Sequence, residues 1–336
     1  MAEPVKWGVL GNANIARTCV IPAIQKSRNG CIHALGTRNP ADAKRVVEEN
    51  EIKHVYNNYD AVLADSAIDA VYIPLPNNMH RPWTLKAFEA GKHVLCEKPL
   101  ACDAHEAEEM AHVAAKSGLL LMEAFMYRFH PRTQRIKQIV SEGLIGTPCL
   151  VRSAFCYAIN PEIFKNGKNA RLRPEMGGGA LLDVGCYNIS VARLLFGHNP
   201  TQVYAQAVYH ESGADVHVVG TLCFPEDGMA TFEASFITAL QQTYTIVGRK
   251  GAIELPHNAF IPWEEDAIYI VRDKDQEVGQ QYVIPGADEY QLMVEHFADA
   301  VLAQTDLQFS VKDSIMNMRV LDALAKAART RQTIAL

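Results

Sequence analysis

Between residues 5 and 125 the chain alternates short apolar runs with amphipathic stretches of helical period, and few architectures can satisfy that alternation. A strand without a polar face must be covered on both sides, and a helix after each strand supplies the cover. The repetition therefore points to a parallel sheet with crossover helices. Strands are expected at residues 5–11, 31–38, 55–56, 67–75, 93–96 and 119–124. Boundary signals agree with them. Asn39 and Pro40 supply an N-cap and a first-turn proline, Asp103 and Glu106 have capping-box spacing, and Gly91 and Gly118 suit helix C-termini.

After a helix at about 132–142 the pattern changes to long alternating, β-branched and aromatic runs at 149–159, 202–210, 216–224, 229–237, 243–247 and 268–272. Turn sequences such as Pro225-Glu226-Asp227-Gly228 and Gly248-Arg249-Lys250-Gly251 join them, as consecutive antiparallel strands require. Helices at 289–302 and 311–329 close the chain. At 336 residues the chain exceeds what one hydrophobic core covers, roughly 250–300 residues, so two domains are expected. The fold class is α/β. Residues 1–123 form an N-terminal Rossmann-type, doubly wound parallel sheet, and residues 124–336 an α+β domain with a large open, mainly antiparallel sheet. The last helix, about 311–330, is a candidate to pack back on the first domain. The uncovered face of the open sheet suits a homo-oligomer contact, as a homodimer or homotetramer.

Bulk properties exclude several classes. Net charge is −6 and the basic residues are scattered, with Arg132/Arg135/Lys137 and Arg329/Arg331 the nearest things to clusters, so nucleic acid is not the expected partner. The N-terminus, Met1 to Lys6, lacks the layout of a signal peptide, and no unbroken apolar run approaches the length of a membrane span. A cytoplasmic protein is expected. Eight cysteines without a C-x-x-C read as reduced core residues. Twelve histidines without H-x-x-x-H or H-E-x-x-H spacing give no indication of a metal site.

Four segments can carry chemistry. The first strand ends in Gly11-Asn12-Ala13-Asn14-Ile15-Ala16, a G-x-A-x-x-A variant of the dinucleotide fingerprint. Gly11 permits the tight turn, Ala13 lets backbone approach a pyrophosphate, and the helix opened by Asn14 and Ile15 offers N–H donors to phosphate. A plain strand-to-helix turn is the alternative, but the motif opens the first strand–helix–strand unit of an alternating domain. The second strand ends at Thr37-Arg38, where an NAD enzyme usually carries an acid for the ribose hydroxyls. Thr37 can hydrogen-bond and Arg38 can pair with a 2′-phosphate, which favours NADP over NAD; a solvated surface arginine is the bland alternative. The fourth strand runs into Pro74-Leu75-Pro76-Asn77-Asn78-Met79-His80 and the fifth into Glu97-Lys98-Pro99, both at the carboxyl end of the sheet, where such sheets bind ligands. Lys98 could hydrogen-bond a substrate oxygen or be a solvated loop lysine. Finally Gly177-Gly178-Gly179 opens an apolar helix in which Asp183 and Tyr187, four apart, share one face. They either line a cleft or are a dipole-stabilised first-turn acid and a core tyrosine.

The order Gly11-x-Ala13-x-x-Ala16, Glu97-Lys98-Pro99, Asp183-x-x-x-Tyr187 resembles the glucose-fructose oxidoreductase/inositol dehydrogenase (Gfo/Idh/MocA) family over nearly the whole chain. It looks most like the branch of NADP-dependent xylose dehydrogenases and dimeric dihydrodiol dehydrogenases, which carry Tyr where inositol dehydrogenases carry His. The loop Glu123-Ala124-Phe125-Met126-Tyr127-Arg128-Phe129-His130-Pro131 fits that branch. The resemblance implies Lys98 beside the nicotinamide ribose and the substrate hydroxyl, a cis-proline at Pro99, and Tyr187 as the proton-transfer residue. Asp183 would orient substrate or relay protons. Tyr127 and Arg128 would border the nicotinamide, Asn77 and His80 the ribose side, and Pro74, Leu75 and Glu97 the rest of the cofactor cleft. Arg171 and Arg173 are substrate-side candidates. The fingerprint departs from the family's three glycines by carrying alanine at positions 13 and 16.

The expected activity is hydride transfer between NADP and a sugar or polyol hydroxyl, for a pyranose such as D-xylose or D-glucose, with the proton passing to Tyr187 or Lys98. A phenol titrates near about 10, so a base role near neutrality needs positive charge close by. The alternatives are an NADPH-dependent ketosugar or dicarbonyl reductase, a trans-dihydrodiol dehydrogenase, and a non-catalytic dinucleotide sensor.

Overall fold

The computed structural model describes residues 3–336. Its contacts divide the chain into two compact units, one of residues 3–129 with 288–315 and one of residues 130–287 with 316–336.

In the first unit all six expected strands form: β1 (Val5–Leu10), β2 (Gly30–Gly36), β3 (His54–Tyr56), β4 (Ala70–Ile73), β5 (His93–Cys96) and β6 (Leu121–Glu123). Every pairing is parallel and the order is β3-β2-β1-β4-β5-β6. The strand order reverses direction between β1 and β4, and the crevice there is the topological switch point of a doubly wound sheet. Central strands are buried on both faces, as in β4, where no residue of Ala70–Ile73 is exposed. The helix Ala104–Ser117 ends as the sequence signals require, Asp103 accepting the N–H of Glu106 at its start and Gly118 closing it at φ 71°, whereas Asn39, expected as an N-cap, makes no side-chain capping bond to the helix that opens at Pro40. Helix α9 (Glu289–Val301), which the linear pattern grouped with the second domain, belongs to this unit by its contacts. Phe297 packs on Trp7 with ring centroids 5.4 Å apart, Asn29 donates to Asp299 at 2.7 Å, and Arg28 pairs with Glu295 and Asp299.

In the second unit β7 (Pro148–Ala158), β8 (Gln202–Tyr209), β9 (Asp215–Cys223), β10 (Met229–Ser235), β11 (Ile237–Gly248), β12 (Gly251–Leu255), β13 (Ala267–Asp273), β14 (Gln280–Ile284) and β15 (Ile334–Ala335) form one sheet. The order is β14-β13-β12-β11-β7-β10-β9-β8-β15. All pairs are antiparallel except β7 with β10, so the mainly antiparallel sheet read from the sequence is present with one parallel step. The short strands β12, β14 and β15 had no separate signal in the alternation. Along β8, β9 and β10 alternate residues are buried (Val203, Ala205, Val216, Val218, Phe232, Ala234) while Val208 and Val219 remain exposed on the other side.

The segment Pro174–Phe196 has the length and apolar composition of a membrane span, yet most of it is buried within this unit against β7 and β10, as a core helix is. Helix α6 (Pro131–Ser141) packs on the same helix and on β13. Among the described residues no disulfide joins any of the eight cysteines.

Candidate active site

In the first unit the loop after β1 carries the fingerprint residues. Gly11 sits at φ 120°, with Leu75 Cδ2 3.0 Å from where a Cβ would lie, so a side chain there would be strained and tight against the loop after β4. Helix begins at Asn14, widens into a π-type turn at Ala16–Val20 and continues as α1 (Ile21–Lys26). Pro22, lacking an N–H, cannot bond back into that turn. The first-turn N–H groups of such a helix have no partner within it and suit an anion. In the same loop Asn12 Oδ1 is buried without a hydrogen-bond partner, an acceptor that a ligand hydroxyl can satisfy. Thr37 is buried and Arg38 exposed at the end of β2, with no carboxylate at either position.

The ring of His80 lies between the loops after β4 and β5. Its ring is fully buried, with Nδ1 3.0 Å from the Pro99 carbonyl and Nε2 2.8 Å from the Leu75 carbonyl. Burial, more than these bonds can offset and with the Lys98 charge adding, pushes its pKa down to about 4, so the imidazole is neutral at physiological pH. His80 therefore stands behind the loops bearing Leu75 and Pro99, not on their outer surface. The Lys98-Pro99 peptide is cis, as the resemblance implies. Lys98 is half-buried; Glu97 before it accepts the phenol of Tyr72 at 2.6 Å and the Lys98 N–H at 3.2 Å.

Pro74 is buried and Asn77 half-buried in the short turn Asn77–Met79. Tyr127 is buried edge-on to Phe125, with centroids 5.8 Å apart. Arg128 is buried too, paired with Asp313 at 2.6 Å and lying 4.5 Å over the Phe309 ring, so its charge is compensated inside the unit. Sequence reasoning missed Glu123 as an individual residue. It is 1% exposed and accepts the Leu100 N–H at 2.9 Å, and burial pushes its carboxyl up to about 7 against the opposing pull of Ser314 and Arg128.

In the second unit the glycine run explains how Arg171 and Asp183 meet. Gly178 and Gly179 donate to the Arg173 and Arg171 carbonyls at 3.0 and 2.9 Å, bringing the turn Ala170–Leu172 against the helix start. Gly179 lies at φ 130°, and a Cβ there would fall 2.3 Å from Asp215 Oδ1. Asp215 in turn accepts the Leu181 N–H at 2.7 Å, capping a run that passes through a π-type turn (Leu181–Gly185) into α8 (Cys186–Phe196). Asp183 receives Arg171 Nε at 2.8 Å and the Tyr157 hydroxyl at 2.9 Å on the same oxygen. Arg173 instead pairs locally with Glu175 at 2.7 Å. Tyr187, 3% exposed, lies among Phe155 and Phe260 with centroids 5.2 and 5.6 Å away. The Phe260 loop is pinned by Arg132, a buried strut whose guanidinium donates to the carbonyls of Asn258, Ala259 and Ile268. Among the described residues no group of His, Cys, Asp or Glu side chains is arranged to hold a metal ion.

A family model described as an oxidoreductase family with an NAD-binding Rossmann fold matches residues 5–125, and the Gfo/Idh/MocA C-terminal domain model matches residues 133–254. The chain belongs to the Gfo/Idh/MocA family of oxidoreductases. D-xylose 1-dehydrogenase (NADP(+)) 2 of Haloferax volcanii is 37% identical over 98% of this chain and 99% of its own length. A trans-1,2-dihydrobenzene-1,2-diol dehydrogenase of Xenopus tropicalis is 31% identical over 76% and 77%. The crystal structure of KijD10, a 3-ketoreductase from Actinomadura kijaniata in complex with NADP and TDP-benzene, superposes with a TM-score of 0.89 at 30% identity, covering 97% of this chain and 98% of that one. The family and branch read from the sequence are thus borne out.

His80 gives a prediction on stability. Its pKa is lowered in the folded chain, so its contribution is fully present above the ordinary histidine value of 6.5 and is lost as pH falls toward about 4. Over that window the loss approaches roughly 3 kcal/mol. Denaturant melts at about pH 7 and pH 4.5 should therefore show a smaller acid loss for His80→Gln than for wild type, beneath a lower stability at neutral pH. Equal acid losses would contradict the assignment.

Proposed function

We propose that this family member is an NADP-dependent oxidoreductase moving a hydride between the nicotinamide and a hydroxyl of a sugar or polyol, a pyranose such as D-xylose or D-glucose. The observation that carries the reading is Lys98 at the carboxyl end of β5, where an open parallel sheet takes its ligand. The fingerprint loop fits a dinucleotide through its glycine, its helix N-terminus and the buried acceptor on Asn12. Thr37 and Arg38, with no acid at either position, support a 2′-phosphate and hence NADP, in keeping with the xylose dehydrogenase and KijD10 likenesses.

Bound cofactor supplies the nicotinamide ring that takes or gives the hydride. The protein supplies the rest. Lys98 donates a hydrogen bond to the reacting oxygen and its charge favours the oxyanion form. Tyr187, held by Phe155 and Phe260, is the proton-transfer residue. Residues Gly11, Ala13, Asn14 and Ile15 hold the pyrophosphate, Thr37 and Arg38 the adenosine end, Pro74, Leu75, Asn77 and Glu97 line the cleft, and Tyr127 and Arg128 border the nicotinamide. His80 acts through the loops it lies between. The reverse reaction, reduction of a ketosugar or dicarbonyl, and oxidation of a trans-dihydrodiol are second readings favoured by the ketoreductase and dihydrodiol dehydrogenase likenesses.

A second copy of this chain is the partner we propose for the exposed side of the large sheet, where Val208 and Val219 are 54% and 44% exposed. Sedimentation velocity should give a dimer or tetramer that Val208→Lys with Val219→Lys dissociates; a monomeric wild type would refute it.

Lys98→Met and Tyr187→Phe should each lower kcat by about 10²–10⁴-fold while NADP binding, read by calorimetry, changes little. Rates measured in both directions over pentoses, hexoses, ketosugars and dihydrodiols would separate the substrate readings. Wild-type turnover in both variants would remove the pair from the chemistry, and NADP binding without turnover on any of these substrates would favour a sensor.

A further inference from the structure

The geometry points to a positioning role for Tyr157: we infer that Tyr157 and Arg171 together hold Asp183 as a fixed, charge-compensated carboxylate, and through it set the orientation and acidity of Tyr187. The inference rests on the proposed role of Tyr187.

Residues 155 and 157 lie two apart on β7 and so face the same side of the sheet. On the helix side they meet two residues four apart: Phe155 packs on Tyr187, and the Tyr157 hydroxyl donates to Asp183 at 2.9 Å. Strand and helix are thereby matched at two points along one face. The Tyr157 ring is itself fixed by Phe236, with centroids 5.3 Å apart. Arg171 completes the arrangement from the turn Ala170–Leu172, its Nε 2.8 Å from the oxygen Tyr157 also uses.

Charge follows from this geometry. Burial first, and then the Asp183 charge, push the Tyr157 phenol well above its ordinary value, so it remains a donor. The Asp183 charge raises the pKa of Arg171, which stays a cation. A carboxylate bound by one cation and one phenol O–H accepts and has no proton to pass on, so Asp183 is no relay. An unpaired carboxylate one turn from Tyr187 would oppose phenolate formation, and Arg171 cancels that field.

Within this unit the rings packed on Tyr187 include Phe155 on β7 and Phe260, with Tyr244 behind Phe260 at 5.7 Å. Cys186, its neighbour in the chain, places its thiol 3.5 Å from the Asp183 carbonyl. Asp215 sits at the N-terminal end of the run. Glu233 of β10 and His217 of β9 pair with each other on the side of the sheet away from Ala234, whose Cβ lies 3.4 Å from where a Gly185 Cβ would be.

The test compares wild type with Tyr157→Phe, Arg171→Met, Arg171→Lys, Asp183→Asn and the double Arg171→Met/Asp183→Asn. The readouts are kcat and KM against pH, and the tyrosine ring ¹³C NMR signal of Tyr187, assigned by its loss in Tyr187→Phe and followed without substrate. Tyr157→Phe should lower kcat about tenfold with KM within about twofold, since only a hydrogen bond to a charged group is lost. Arg171→Met should move both the kinetic ionisation and the Tyr187 signal alkaline, Asp183→Asn should move both acid, each by about 0.5–1 pH unit, and the double variant should return both close to wild type. Arg171→Lys should stay near wild type. Unmoved titrations in the single charge variants, or wild-type kcat in Tyr157→Phe, would overturn the inference. Full turnover in Tyr187→Phe would instead overturn the proposed function, while the NMR titration would still decide whether the bracket sets the acidity of Tyr187.

Discussion

The first unit follows from one constraint: an all-parallel sheet of apolar strands must be covered on both faces, which leaves the strand ends as its accessible polar surface. Six strands in the order β3-β2-β1-β4-β5-β6 therefore gather Gly11, Thr37, Leu75 and Lys98 at their carboxyl ends without any of these residues being near another in sequence. His80 then lies between two of those loops, and its neutral imidazole has one N–H to donate, to the carbonyl of either Leu75 or Pro99. Burial keeps it neutral, and neutrality makes it a strut rather than a charge.

The second unit is organised differently. Its buried helix is placed by polar side chains that reach backbone from afar: Asp215 on the Leu181 N–H, Asn188 on the Glu233 carbonyl at 3.1 Å, and Asn317 on the Cys186 carbonyl at 3.3 Å. Each satisfies a group that would otherwise be costly to bury, and each fixes the register of the helix against the sheet. Arg132 does the same for the loop carrying Phe260. A phenol held this way has one orientation, which is what a proton-transfer residue requires.

Much of this was legible in the sequence because it depends on local pattern. The alternation located all six parallel strands, the spacing of Asp183 and Tyr187 put them on one helix, and Gly118 marked a left-handed helix end. What escaped depends on contacts distant in sequence. Arg132 looked like part of a loose basic cluster and is a fully buried strut. Helix α9 looked like a second-domain element and contacts the first unit through Trp7 and Arg28. Arg171 looked like a substrate-side group and is engaged by Asp183, while Tyr157 lies 26 residues from that acid and carries no motif. The alternation of β7 could have placed Tyr157 beside Phe155, but nothing local said which helix they face.

The central claim is direct hydride exchange with NADP at a sugar carbinol. Aldoses carrying deuterium on every carbon, D-xylose and D-glucose among them, should be incubated with the protein and either NADP or NAD, and the reduced cofactor examined by mass spectrometry. The account predicts that at least one of these sugars yields NADPH bearing a single transferred deuterium, with NADP strongly preferred over NAD. Reduced cofactor without the label, or a preference for NAD, would contradict it.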